Sequence, residues 1–134
     1  MSLSDKLIIN AAITGMLPSK KYNPHVPITL AEISDDARRC VDAGASIVHL
    51  HARDEQGRAT WRTDIYREIL QSVRHACPDL ILCVSTSGRV FKTFEQRSAV
   101  LDISDPKPEM ASLTLGSMNF ATQESINSPD MIQA

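Results

Sequence analysis

Hydrophobic positions gather in four short runs along the chain: Leu7–Thr14, Ser46–Ala52, Leu80–Ser85 and Met110–Leu115. Their first residues lie 39, 34 and 30 positions apart, room for one strand plus a crossover in each interval. The runs are apolar at successive positions rather than alternate ones, the pattern of parallel strands covered on both faces. Between the first two, Thr29-Leu30-Ala31-Glu32 forms a capping box, in which the threonine hydroxyl accepts from the third amide and Glu32 reaches back. Leu30, Ile33, Ala37, Cys40 and Val41 follow at three- and four-residue spacing and predict one buried helical stripe. Gly44 stops that helix by taking the left-handed conformation. A second helix is predicted from Asp64 to Ala76, with Thr63 as its cap, Ile65, Ile69 and Val73 as its buried row, and Pro78 preventing continuation. Beyond the third run the signal weakens. Thr93–Leu101 suits a short helix, Asp102–Pro108 a stiff connector, and Asn119–Ala134 shows little periodicity. The order β-α-β-α-β-(α)-β predicts an α/β fold with a parallel sheet.

Composition narrows the class. With 134 residues, 43% hydrophobic and 22% charged, the chain has material for one packed core and does not read as disordered. A net charge of −2 offers no basic footprint, so neither nucleic acid nor a membrane surface is an expected partner. No apolar run approaches the roughly 18–20 residues of a membrane span, and Leu7–Leu17 is interrupted by Asn10, Thr14 and Gly15. Cys40, Cys77 and Cys83 form no C-x-x-C and sit among apolar neighbours, so they read as small buried hydrophobes of a reducing compartment. A soluble cytoplasmic protein is the expectation.

The chemistry-bearing segment is Ile47-Val48-His49-Leu50-His51-Ala52-Arg53. Successive strand residues face opposite ways, so His49 and His51 project together while Val48 and Leu50 project to the other side. Two imidazoles so placed can share a metal ion, or they can be core histidines with buried hydrogen-bond partners. They fall at the C-terminal end of the strand, where parallel α/β folds place their chemistry. His25 and His75 read as surface residues, and Asp35, Asp36, Arg38 and Arg39 as a solvated helix face. The third run ends in Val84-Ser85-Thr86-Ser87-Gly88-Arg89, whose hydroxyls and amides suit either an anion site or an ordinary polar turn. Glu109, Ser112 and Asn119 border the fourth run as lining or capping groups. No G-x-G-x-x-G, P-loop or G-x-S-x-G is present, so dinucleotide binding, Walker-type NTPase action and serine hydrolysis lack support.

Taken in order, Leu7–Gly15, Pro27-Ile28-Thr29 with Glu32-Ile33, Ala43–Arg53, Ser85-Thr86-Ser87-Gly88, Pro108–Leu113 and Gly116–Phe120 resemble the β-keto acid cleavage enzyme family, over about Lys6 to Phe120. The resemblance implies a TIM (β/α)8 barrel. It implies a divalent metal, usually zinc, and conversion of a β-keto acid and acetyl-CoA to acetoacetate and a new acyl-CoA. By that likeness His49 and His51 are metal ligands, Ser85 helps hold the keto acid, Thr86 and Gly88 belong to the same loop, and Ser112 lies near the substrate. Such a metal would act as a Lewis acid at the keto group. A homo-oligomer is the expected assembly.

Two departures matter. Members that act on an amino-substituted keto acid carry a glutamate after the first strand. Here Gly15-Met16-Leu17-Pro18 has no carboxylate, which implies a neutral or apolar acyl substituent. A complete barrel also needs about 250 residues, so the 134 residues are expected to be the N-terminal part of a single barrel domain, about four β/α units, with no second domain. The family's third metal ligand and its enolising machinery find no match, so no catalytic residue is named. Competing readings are an amidohydrolase-like metal-dependent hydrolase and a non-catalytic gene fragment. The isolated chain is expected to lack turnover, to bind zinc weakly if at all, and to associate through open sheet edges. An acetoacetate assay on the purified 134-residue chain should read background; turnover comparable to a full-length relative would overturn this expectation.

Overall fold

A computed structural model describes residues 7–134, so the first six residues of the expected domain lie outside the described residues. Strands β1 (Asn10–Ala12), β2 (Ile47–Leu50), β3 (Ile81–Val84) and β4 (Met110–Ala111) form one sheet in chain order. Every neighbouring pair is parallel. Helices α1 (Leu30–Asp42) and α2 (Thr63–Ala76) supply the first two crossovers. A short helix α3 (Phe94–Ser98), continued by a 3-10 turn over Ala99–Asp102, supplies the third. This sequential order lacks the reversal of doubly wound sheets.

The predicted capping box is present: Glu32 N–H donates to Thr29 Oγ1 at 3.3 Å, and Thr29 N–H to Glu32 Oε2 at 3.0 Å. At the other end Gly44 takes φ +99°. Its N–H donates to Val41 O and that of Ala45 to Cys40 O, each at 2.8 Å, a Schellman closure. Helix α2 starts on Thr63 itself, one residue earlier than predicted. Arg62 holds the non-helical cap conformation and makes no side-chain cap bond, and its carbonyl already accepts from Tyr66 N–H at 3.1 Å. Thr93, expected inside that helix, instead caps α3, its side chain accepting from Gln96 N–H at 3.3 Å.

The core lies between the helices and one face of the sheet. Val48, Leu50, Leu82 and Val84 are fully buried there with Ile33, Ile69, Leu70 and Val73, each worth roughly 1.5–3 kcal/mol of transfer free energy. The α1 stripe is narrower than predicted: Ile33 and Ala37 are buried, Cys40 is half-buried, and Leu30 and Val41 are exposed. The packed side of α1 meets α2, where Ser34 Oγ and Ser72 Oγ are 2.7 Å apart. At the N-terminal ends of β3 and β4, Glu109 accepts from Leu82 N–H at 2.9 Å and pairs with Arg74.

The tail is more ordered than its weak periodicity predicted. Strands β5 (Met118–Asn119) and β6 (Glu124–Ser125) pair antiparallel, and helix α4 spans Pro129–Gln133. The start signal of α4 is local: Ser128 Oγ accepts from Met131 N–H at 3.3 Å, and Pro129 fills the first turn, where its missing N–H costs nothing.

Thr29→Ala should lower the unfolding free energy by about 1 kcal/mol, read by urea denaturation at pH 7. The Lys20 ammonium, then the Thr29 and Ile28 amides, hold the Glu32 carboxyl down to about 2 from 4.5. A folded pKa below the unfolded one means that this contribution is complete above about pH 4.5 and is lost as pH falls toward 2. The stability difference between the wild type and Glu32→Gln should therefore shrink over that window.

Candidate functional site

Parallel register carries the alternation of β2 across the sheet. Ala12 pairs with His49, His49 with Cys83, and Cys83 with Met110, so the four share a row on the face turned away from the helices. One step further along, His51 follows β2, Ser85 follows β3 and Ser112 follows β4. With Gly15 and Met16 after β1, these strand ends border an open cleft of about 340 Å³. The β5–β6 hairpin closes one side with Met118, Phe120 and Ser125.

His49 and His51 meet edge to face with ring centroids 4.7 Å apart. Burial lowers the pKa of His49. Burial first, then the neighbouring His49 and Arg53, push His51 down to about 4. Both rings are therefore neutral at pH 7, the form in which imidazole is a metal ligand. Nδ1 of His49 lies 3.2 Å from Cys83 Sγ, which leaves Nε2 for the cleft. Nδ1 of His51 is buried without a hydrogen-bond partner, an uncommon state for a buried polar atom. The donor set thus fits two nitrogens of a metal centre. Among the described residues no group of three or more His, Cys, Asp and Glu side chains is placed to hold an ion.

Two buried arginines fix the surrounding loops. Arg53 donates to Gly15 O at 2.7 Å and Pro18 O at 2.9 Å, which seats the loop after β1 beside the histidines. Arg97 donates from Nε to Thr86 O at 2.8 Å and from Nη2 to Asn127 Oδ1 at 2.6 Å, which joins the loop after β3 to the tail. Gly88 is needed for this approach: a Cβ there would lie 2.9 Å from both Arg97 Nη1 and Ile126 O.

The predicted residues divide by face. His49, His51, Ser85 and Ser112 line the cleft. Thr86 is not among its lining residues; its N–H donates to Ser112 Oγ at 3.1 Å and its hydroxyl to the Ser112 carbonyl. Gly88 is buried beside Arg97. His25 and His75 are exposed, as expected. Cys83 is buried as predicted, but it is also the contact of His49. Arg89 is a cleft residue that the sequence reasoning did not single out. Its guanidinium sits 3.5 Å from the centroid of Phe120. The alternation Ser85, Ser87, Arg89 was the available signal; Phe120 had only its place in the Gly116–Phe120 motif and Ser125 had none, because a hairpin brings them.

A model of the beta-keto acid cleavage enzyme family matches residues 6–134. The chain belongs to this family. It is 42% identical over 129 residues to a 3-keto-5-aminohexanoate cleavage enzyme of Acetoanaerobium sticklandii, covering 96% of this chain and 46% of that one. It is 38% identical over 130 residues to a 3-oxoadipate:acetyl-CoA acetyltransferase of Cupriavidus necator, covering 97% and 44%. The chain thus spans less than half the length of these relatives. Among solved structures, the apo form of ObcA superposes with TM-score 0.71 at 30% identity, over 82% of this chain and 27% of that one. A binary complex of ObcA with oxaloacetate gives 0.72 at 30% identity, over 82% and 28%.

Gly88→Ala should cost about 1–3 kcal/mol, the scale of overpacking. Thermal unfolding of the variant checks this, and an unchanged midpoint would mean that Arg97 and the 126–127 segment move aside freely.

Proposed function

We propose that this chain is the histidine-bearing part of a single TIM-barrel domain that cleaves β-keto acids. A β-keto acid and acetyl-CoA give acetoacetate and the acyl-CoA of the remaining fragment. The observation that carries this reading is the His49–His51 pair, two neutral imidazoles in contact at a strand end, one with an unpartnered buried nitrogen, on a hydroxyl-lined cleft. Family membership and the reactions named for the relatives, acetyl-CoA-dependent in the Cupriavidus enzyme, support the same chemistry.

His49 and His51 would hold a divalent ion, with zinc favoured by the nitrogen donors. A divalent ion held there supplies Lewis acidity that favours loss of a proton beside a keto group. Ser85 and Ser112 present hydroxyls to the acid's carboxylate and orient it, a contribution of proximity rather than of acid–base power. Thr86 and Gly88 act on the same loop, Thr86 by fastening it to Ser112 and Gly88 by admitting Arg97. No described helix is long and apolar enough to cross a membrane; a soluble, cytoplasmic homo-oligomer completes the proposal.

Titrating the chain with Zn²⁺ and following histidine ring resonances by NMR tests the ligand assignment. The His49 and His51 signals should shift together, with weak affinity, and either His49→Ala or His51→Ala should abolish the effect while His75→Ala leaves it intact. Shifts confined to His25 and His75 would overturn the assignment.

A further inference from the structure

Among the described residues lining the histidine cleft, Arg89 alone carries a full charge at neutral pH. Half-buried, it differs from the two buried arginines of this region. Arg53 and Arg97 spend their N–H groups on carbonyl oxygens. The Arg89 side chain makes no such bond among the described residues, its Nε is buried without a partner, and none of the ion pairs found there includes it. Its guanidinium rests on Phe120, 3.5 Å from the ring centroid. A guanidinium held by an aromatic ring, with in-plane N–H groups lacking acceptors, is a receptor for a planar anion such as carboxylate.

We infer that Arg89 receives a second carboxylate of the substrate, so that the preferred β-keto acid is a dicarboxylic acid; this rests on the keto-acid reading above. The reacting carboxylate already has the Ser85 and Ser112 hydroxyls beside the histidines. Arg89 stands four residues beyond Ser85 along the loop, on the same cleft, where the far end of the acyl substituent would lie. The loop after β1 lines the cleft with Gly15 and Met16 and offers no carboxylate, so an ammonium group would meet only the like charge of Arg89. The neutral or apolar substituent expected from the sequence gives way to an anionic one.

Calorimetric titration of the 134-residue chain with 3-oxoadipate and with 3-oxohexanoate tests this, because the two acids differ only by a terminal carboxylate in place of a methyl group. The wild type should bind the diacid roughly tenfold more tightly, the scale of one charge-assisted hydrogen bond, and added salt should erode that preference. Arg89→Gln should erase the preference by lowering the affinity for the diacid about tenfold, and Arg89→Lys should restore part of it; circular dichroism checks that both variants fold. Equal affinity of the wild type for the two acids would overturn the inference without touching the keto-acid reading, and needs no variant. Loss of affinity for both acids to the same extent in Arg89→Gln would place Arg89 on the reacting carboxylate and overturn it too. Binding of neither acid by the wild type would overturn both.

Discussion

In-register parallel pairing of β2 with β3 is the constraint on which the rest of this structure depends. Val48 pairs with Leu82 and Leu50 with Val84, and these four side chains fill the space beneath α1 and α2. The same register places His49 beside Cys83 and delivers His51 and Ser85 to one cleft. A slip of β2 by one residue would turn both histidines into the apolar layer and bring Val48 and Leu50 out of it. Core packing and site geometry are therefore two faces of one pairing, and the burial of the apolar face holds the polar face in place.

Beyond the strand ends the cleft is held by hydrogen bonds rather than by apolar packing. Arg53 ties the loop after β1 to β2, Thr86 and Ser112 tie the loops after β3 and β4, and Arg97 ties the β3 loop to the tail. Each of these two arginines, itself buried, donates to two or more loop carbonyls. At the opposite end of the sheet Glu109 does the equivalent for Leu82. Rigid strands position the imidazoles, and cationic struts shape what surrounds them.

The electrostatic character of the cleft follows from this arrangement. Burial keeps both histidines uncharged, and the carboxylates of the described chain lie elsewhere than along its lining. The charge that remains there is the guanidinium on Phe120. A cleft with neutral nitrogen donors, hydroxyls and one cation suits a metal together with an anionic organic acid, in keeping with the family to which the chain belongs.

Much of this was legible in the residues. The four apolar runs marked the strands, Thr29-Leu30-Ala31-Glu32 and Gly44 marked the limits of α1, and the two-residue spacing of His49 and His51 put them on one face, because these signals depend on backbone geometry within a few residues. Alternation also separated Ser85 from Thr86 in principle, although both stood in one hydroxyl cluster. What the chain pattern did not reveal were the partners. Cys83 meets His49 across a strand pair separated by 34 residues, and Arg89 meets Phe120 only because β5 and β6 fold back over the strand ends. The exposure of Leu30 and Val41, at the two ends of the predicted stripe, was likewise decided by tertiary packing. Sequence alone determined the four parallel strands, the helices between them, their order and the face of each strand residue, since these are set by local sterics and hydrophobic period. Tertiary structure alone decided which side chains from distant segments share the cleft and which atoms there remain without partners, since those depend on packing that no local pattern encodes.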